Sequence, residues 1–446
     1  MSAQAQPLPR RSALRQPLRL LAGVLSLRYL LLRATTAAAA VAFGLVQTYV
    51  FARVLAPKDF SIYILIGTFG LSLWLFDLGA AKILFVRQRA RHLEGRGDDA
   101  ITAQSSAVVA LYALIVLAGT LACFAIAATR SGTSLGTATD YTLFFSFAAL
   151  NLVWFPLRNV SNAVDQYIGF ESLEVVRRVG HIALMLGLLG GLPLLAFLLL
   201  ANALWAVLLS ACVVRLARVG ALRAPHGVRS ALTEFWRGNR RELLRSGNYA
   251  VGELAIYNFP YFVVPAMFGL GAPTIILDTV FKIFRGATLI YAAGLDPLVP
   301  RQTRALAERD AAMLKKATLT AFVLCAVPTL ALCALLLIAG DRLFALLLGH
   351  AATMPPAATT VLVVLLLANL AQNVASNLLL HTGFFREIAR VATFLVIAMA
   401  AMTLIAIAAG VDIVGFIGGY AAVYVAGAAL YIAYVWRGPF RRAAGR

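Results

Sequence analysis

The chain has 446 residues, of which 61% are hydrophobic and 13% charged, with a mean hydropathy of +0.85 and a formal net charge of +20. Soluble domains carry roughly 25% charged residues, so the composition excludes one. The apolar runs are also too long and continuous for barrel strands, which alternate over about ten residues. What remains is an all-α polytopic membrane protein.

In chain order, residues 1–33 come first, with six Arg. Within them "RQPLRLLAGVLSLRYLLLR" has the pattern of a basic amphipathic helix lying on the cytoplasmic interface. No small-x-small cleavage site follows, so the first apolar run is expected to stay as an uncleaved helix. Apolar runs of bilayer length then predict about twelve spans, at 34–52, 62–82, 102–128, 141–160, 179–191, 193–214, 248–268, 274–296, 317–339, 357–380, 391–409 and 412–436. The fifth is short and has an alternative start near Leu173. The expected organisation is a basic N-terminus (1–33), an N-lobe of six spans (34–214), an Arg-rich cytoplasmic linker (215–247), a C-lobe of six spans (248–436) and a cytoplasmic tail (437–446).

Charge placement gives the orientation. With Arg158 counted at its span end, 32 of the 39 Lys and Arg fall on one set of alternating segments and four on the other. Lys82, Lys282 and Arg285 lie inside spans. This is the positive-inside pattern; it places both termini in the cytoplasm. The basic excess is thereby a topology signal, and nucleic acid is not an expected partner.

Dipeptides recur at a single offset of 214: Arg87-Gln88 with Arg301-Gln302, Asn159-Val160 with Asn373-Val374, and Gly169-Phe170 with Gly383-Phe384. Six spans per half is an even number, so duplicated halves run parallel. Parallel repeats form two lobes with a midplane site between them, here two six-helix lobes around a central cavity.

The eighth span carries charge. In "LDTVFKIFRG", Asp278, Lys282 and Arg285 are spaced i, i+4, i+7 and share one helical face. Arg285 lies about 18 Å past Pro273 at 1.5 Å per residue, which is mid-bilayer. A charge there costs at least ~2.5–3.5 kcal/mol and faces protein or water rather than lipid. One reading is a cationic lining for an anionic headgroup, since Arg presents a fork matched to phosphate and Lys a compact charge. The other is a structural Asp278–Lys282 pair, which leaves Arg285 without an acid on its own helix. Asp77, with Lys82 five residues on, and Glu253 are further intramembrane acids. Either is a candidate counter-charge or a protonatable group coupling H+ or Na+ flow, although Asp77, before Gly79, also suits a helix break. Nearby aromatics such as Tyr257, Tyr261, Phe281 and Phe284 suit core packing or sugar stacking.

Four Cys lie within spans without metal-ligand spacing, and the five His are scattered. No metal or cofactor site and no catalytic set is legible, so the chain is not expected to be an enzyme.

The stretch "FARVLAPKDFSIYILIGTFGLSLWLFDLGAAKILFVRQRAR" (Phe51–Arg91) resembles the pattern A-R-x-L-x-P-x-x-F/Y-x-x-Y, then D-L-G, of polysaccharide-biosynthesis flippases in the multidrug/oligosaccharidyl-lipid/polysaccharide exporter superfamily. The matching residues are Ala52, Arg53, Leu55, Pro57, Phe60, Tyr63 and Asp77-Leu78-Gly79. The resemblance implies an alternating-access flippase that turns undecaprenyl-pyrophosphate-linked O-antigen or exopolysaccharide repeat units from the cytoplasmic to the periplasmic leaflet. It also implies a positively charged cavity, membrane lipids around it, and glycosyltransferases and a polymerase as pathway partners. Relatives carry further Arg in first-lobe helices; here only Lys82, with Arg53 and Arg158 near span ends, is expected there. The alternatives are an ion-coupled drug exporter of the same fold, which calls for an acid-rich site, and a polysaccharide polymerase or ligase, which calls for a large periplasmic loop.

Overall fold

In a computed structural model the described residues are 27–94, 99–130, 132–223 and 227–445, with the side chains at 27–30, 245, 246, 248–255, 293 and 297 outside the description. The basic N-terminal stretch up to residue 26 and the Glu253 side chain therefore lie outside the described residues. Among those described, the chain is helical and contains no strand.

The first half comprises α1 (Leu27–Val54), α2 (Pro57–Ser72), α3 (Ala80–Glu94), α4 (Asp99–Thr129), α5 (Leu135–Ala149), α6 (Asn151–Ala163), α7 (Tyr167–Gly187) and α8 (Leu194–Arg218). The second comprises α9 (Val228–Phe268), α10 (Ala272–Leu295), α11 (Val299–Ala307), α12 (Ala311–Leu348), α13 (Pro356–His381), α14 (Phe385–Ala409) and α15 (Ile413–Val435). The Arg-rich segment expected as a linker is helical from Val228 and runs without a break into the seventh span.

Helix ends follow local chemistry. Ser134, Asp310 and Asp412 are side-chain N-caps of α5, α12 and α15, satisfying amides that a helix start leaves unpaired. Pro57 and Pro356 open α2 and α13, where the missing N–H costs nothing. The expected helix break at Asp77 is present. A 3-10 turn, Leu73–Asp77, ends α2, and Leu78 and Gly79 follow with φ of 45° and 82°. Asp77 Oδ2 accepts from the Gly79 amide (3.0 Å), and Oδ1 accepts from the Ala81 amide (3.0 Å) and the Tyr112 hydroxyl (2.7 Å).

The same helix pairs pack in each half: α1 on α7 and α9 on α14, α2 on α5 and α10 on α13, α4 on α5 and α12 on α13, α7 on α8 and α14 on α15. The repeated glutamines, Gln88 and Gln302, are both buried, in α3 and α11. Contacts between halves run from α1 to α10 and α12, and from α2 and α4 to α9. Glycines stand at this boundary: a Cβ at Gly286 would lie 3.4 Å from Val41, and one at Gly44 would lie 3.9 Å from the Lys282 methylenes, both ordinary van der Waals contacts.

Among the described residues, nine helices are long and apolar enough to cross a membrane. Outside that set are the short helices α3 and α11 and the longer α7, α9 and α10. Of these, α7 and α10 carry several charges each, and the described apolar part of α9 is short, Ile256–Phe268. The outer faces carry exposed Leu, Val, Ile and Phe, such as Ile338, Leu404 and Val327, as a lipid-facing surface does.

Candidate functional site

α10 is 24 residues long, about 36 Å at 1.5 Å per residue, and Arg285 lies near its middle. Its charged face turns towards α1 and α9. Lys282 Nζ sits 2.7 Å from Asp278 Oδ2 and donates to Thr48 Oγ1 of α1 at 3.0 Å. Asp278 Oδ1 accepts from the Tyr261 hydroxyl at 3.1 Å. So the structural pair is made, and the counter-charge to Lys282 is Asp278.

Arg285 is bound differently. One of its terminal nitrogens donates to the Tyr257 carbonyl and to Asn258 Oδ1 (3.0 Å) on α9. Its guanidinium carbon stands 5.4 Å from the Tyr261 ring centroid and 5.9 Å from that of Phe281. No carboxylate is within ion-pair distance, and Nε has no hydrogen-bond partner, among the described residues. A guanidinium has five N–H donors; the described partners take two, leaving Nε–H and the second terminal nitrogen. Lys282 and Arg285 are both only partly buried.

Around them the aromatics form a packed wall. Phe284 meets Tyr424 edge-on at 5.0 Å, and Phe281 lies 4.8 Å from Tyr420. Asn369 knits α10 to α13 and α15. It donates to the Phe284 carbonyl and accepts from the Tyr424 hydroxyl, both at 3.1 Å. These rings serve mainly as packing: Tyr261, Phe281, Phe284, Tyr420 and Tyr424 are all at most 2% exposed. The Tyr420 hydroxyl is buried without a partner among the described residues.

The other predicted acids and bases fall elsewhere. Asp77 is consumed as a cap and does not pair with Lys82, whose side chain is exposed. Arg53 lies at the end of α1, where it reaches the second half. Pro57 begins α2, and Tyr63 is buried in a ring cluster with Phe51, Tyr141 and Phe144.

The first half carries more charge than its sequence suggested. The helix of the expected fifth span begins at Tyr167, earlier than both 179 and the alternative start near Leu173, which brings Glu171, Glu174, Arg177 and Arg178 into the helix bundle. Glu171, 1% exposed, accepts from Arg33 (2.9 Å), Thr36 (2.9 Å) and Arg158 (3.4 Å). Glu174 is gripped by Arg177 through two nitrogens and by Arg178 at 3.0 Å. Arg177 stacks over the Trp205 ring at 4.4 Å, and Arg178 approaches Phe43 of α1 at 5.7 Å. This corrects the expectation of a first half offering only Lys82, Arg53 and Arg158. The spacing 171, 174, 177/178, 181 is itself a helical-face signal; a hydropathy window hides it because the charges lower the mean.

α1 therefore stands between two charged faces. Phe43 meets Arg178 on one side, while Gly44 and Thr48 meet Lys282 on the other. Among the described residues, the cations Arg33, Arg158, Arg177, Arg178, Lys282 and Arg285 outnumber the acids Glu171, Glu174, Asp278 and Asp296, the last close enough to act on Arg33, so these residues have a surplus of base.

No protein-family model and no curated protein matches the chain by sequence. Solved structures do match by fold. The lipid II flippase MurJ in an inward closed conformation superposes with a TM-score of 0.63 at 12% identity, over 93% of this chain and 90% of that one. A multidrug-resistance MATE-family transporter of the MOP superfamily, inward-facing, gives 0.62 at 13%, over 93% and 98%. A MOP-superfamily transporter from Pyrococcus furiosus, described as having a binding pocket of reversed polarity, gives 0.60 at 13%, over 94% and 95%. The chain has the fold of the MOP-superfamily transporters.

Proposed function

We propose that the chain is a transporter that moves a lipid-linked, anionic headgroup across the bilayer by alternating access, the cargo being polyprenyl-pyrophosphate-linked oligosaccharide. The observation that carries this reading is Arg285. It is a mid-helix guanidinium at the junction of the halves, with donors unspent on any described carboxylate. Phosphate oxygens are the matching acceptors, and a charge-assisted hydrogen bond to phosphate is roughly twice as strong as a neutral one. Lys282 contributes if the incoming anion competes with Asp278 and Thr48. The first-half cations lie across α1 from this pair and are shared with Glu171 and Glu174, so the headgroup contact is assigned to Lys282 and Arg285 of the C-lobe (248–436), facing the N-lobe (34–214). The polyprenyl tail stays in lipid while the lobes rock, and any ligand-driven shift comes from its unequal affinity for the two states.

The basic asymmetry supports cytoplasmic N- and C-termini, and the proposed cargo implies a bacterial inner membrane. Glycosyltransferases and a polymerase are the expected pathway partners, and coupling to H+ or Na+ is open to Asp278 or Glu253. A cation-exporting reading on the same fold is disfavoured by the surplus of base around α1. A polymerase or ligase reading is disfavoured by the short segment between α12 and α13.

The test is rescue in a deletion strain, reading lipid-linked sugar on the cytoplasmic leaflet. Wild type clears the accumulated intermediate. Arg285→Ala is expected to cut clearance at least tenfold, with Arg285→Lys in between because it keeps charge but loses the fork. Full clearance by both variants rejects the headgroup assignment.

A further inference from the structure

Arg53 ends α1 and belongs to the motif that the proposed cargo site does not use. Its partners lie across the boundary between halves. One terminal nitrogen donates to the Leu346 carbonyl at 2.5 Å, and the other to the Tyr49 carbonyl at 2.8 Å and the Leu347 carbonyl at 3.5 Å. Its guanidinium carbon lies over the Tyr49 ring, 3.6 Å from the centroid.

Leu346 and Leu347 sit in the last turn of α12. A helix end leaves its final four carbonyls without intrahelical partners. Here Ala345 is taken by the Gly349 amide and Leu348 by the Ala351 amide. The two that remain are the two that Arg53 reaches. A cation also suits this end, because the helix macrodipole is negative there. Gly349 makes the geometry: its φ of 54° with ψ of −125° turns the chain away sharply. That conformation strains any side chain, and it keeps the carbonyl end of α12 open to Arg53.

We infer that Arg53 is a latch between the halves that closes one end of the transporter. By charge placement that end is the periplasmic one, remote from the basic flanks of α1 and α12. In this structure the latch is engaged, so the structure represents a state shut on that side. Opening to the periplasm requires α12 to leave α1, and hence Arg53 to give up Leu346 and Leu347. Thr48, the partner of Lys282, is five residues from Arg53 on the same helix, about 7.5 Å along it. The latch and the cargo site thus share α1.

The inference rests on the alternating-access reading but not on the identity of the cargo. The test is double electron–electron resonance between spin labels at Lys58→Cys and His350→Cys, exposed positions flanking the latch. The background replaces Cys123, Cys212, Cys325 and Cys333. With Arg53 intact, a short distance is expected to dominate. Arg53→Ala is expected to raise the ratio of long to short distances about tenfold, the scale of losing charge-assisted hydrogen bonds, and Arg53→Lys to raise it less. If Arg53→Ala does not yield folded protein, Gly349→Ala strains the other side of the contact and is expected to shift the ratio the same way. Two distances whose ratio ignores both substitutions overturn the latch alone. A single distance in every variant overturns the latch together with the alternating-access reading.

Discussion

Replacing Glu171 by Gln tests whether the charged face of α7 belongs to the folded interior. The carboxylate is 1% exposed and accepts from Arg33 at 2.9 Å, Thr36 at 2.9 Å and Arg158 at 3.4 Å. Gln keeps the volume and one oxygen for Thr36 but removes the charge. Breaking a fully buried pair costs about 3–5 kcal/mol; exposed pairs are worth about 0–1 kcal/mol. Here the acid is buried, while the Arg33 and Arg158 side chains are 32% and 34% exposed. Water screens those two cations once the acid is gone, so the expected loss lies between the limits, about 1–2 kcal/mol. The assay is thermal unfolding in detergent, followed with a thiol-reactive dye. Cys212, Cys325 and Cys333 are buried and react only when the bundle opens. A double-mutant cycle with Arg33→Gln should return a coupling of about 1 kcal/mol, because the two groups touch. Unchanged melting of Glu171→Gln, with zero coupling, would refute the argument that α7 is held to α1 through this carboxylate.

Two further outcomes follow from geometry. A Cβ at Gly70 would stand 2.9 Å from the Ala148 Cβ and 3.0 Å from the Phe145 carbonyl oxygen, while one at Gly418 meets nothing within 4 Å. Gly70→Ala should therefore destabilise by about 1–3 kcal/mol through overpacking of α2 on α5, with Gly418→Ala near neutral; equal melting temperatures for the two would contradict this. Asp165, in the turn between α6 and α7, bonds Arg89 at 2.7 Å and His92 at 3.1 Å. Burial is the largest single influence and raises its pKa, but the hydrogen bonds and charge of Arg89 and then His92 together outweigh it and lower the pKa. A depressed carboxylate contributes stability above its unfolded pKa and loses it as pH falls through its folded value. The tie from α3 to this turn should therefore weaken below about pH 4. Hydrogen-exchange protection factors at residues 163–167, corrected for the intrinsic pH dependence of exchange, should fall on acidification in wild type and be already low, and pH-insensitive, in Asp165→Asn.

The sequence by itself determined the class, the approximate number of spans and the spacing of charge on α10. Each rests on local chemistry: bilayer length, apolar content and helical periodicity. The break at Asp77 was legible for the same reason, since an Asp close before Gly signals a cap and its two backbone partners lie within four residues, although the Tyr112 hydroxyl comes from another helix. What only the tertiary structure decided was partnership. Lys282 proved to be shared between Asp278 on its own helix and Thr48, 234 positions away. The extent of α7 was hidden because charges lower hydropathy wherever they fall, and only Arg33 and Arg158, brought in from other helices, make Glu171 tolerable inside the bundle. Arg53 likewise reads as one more basic residue at a span end until the last turn of α12 is placed beside it. Hydropathy reports what one segment would cost in lipid; the neighbours that remove that cost are supplied by folding.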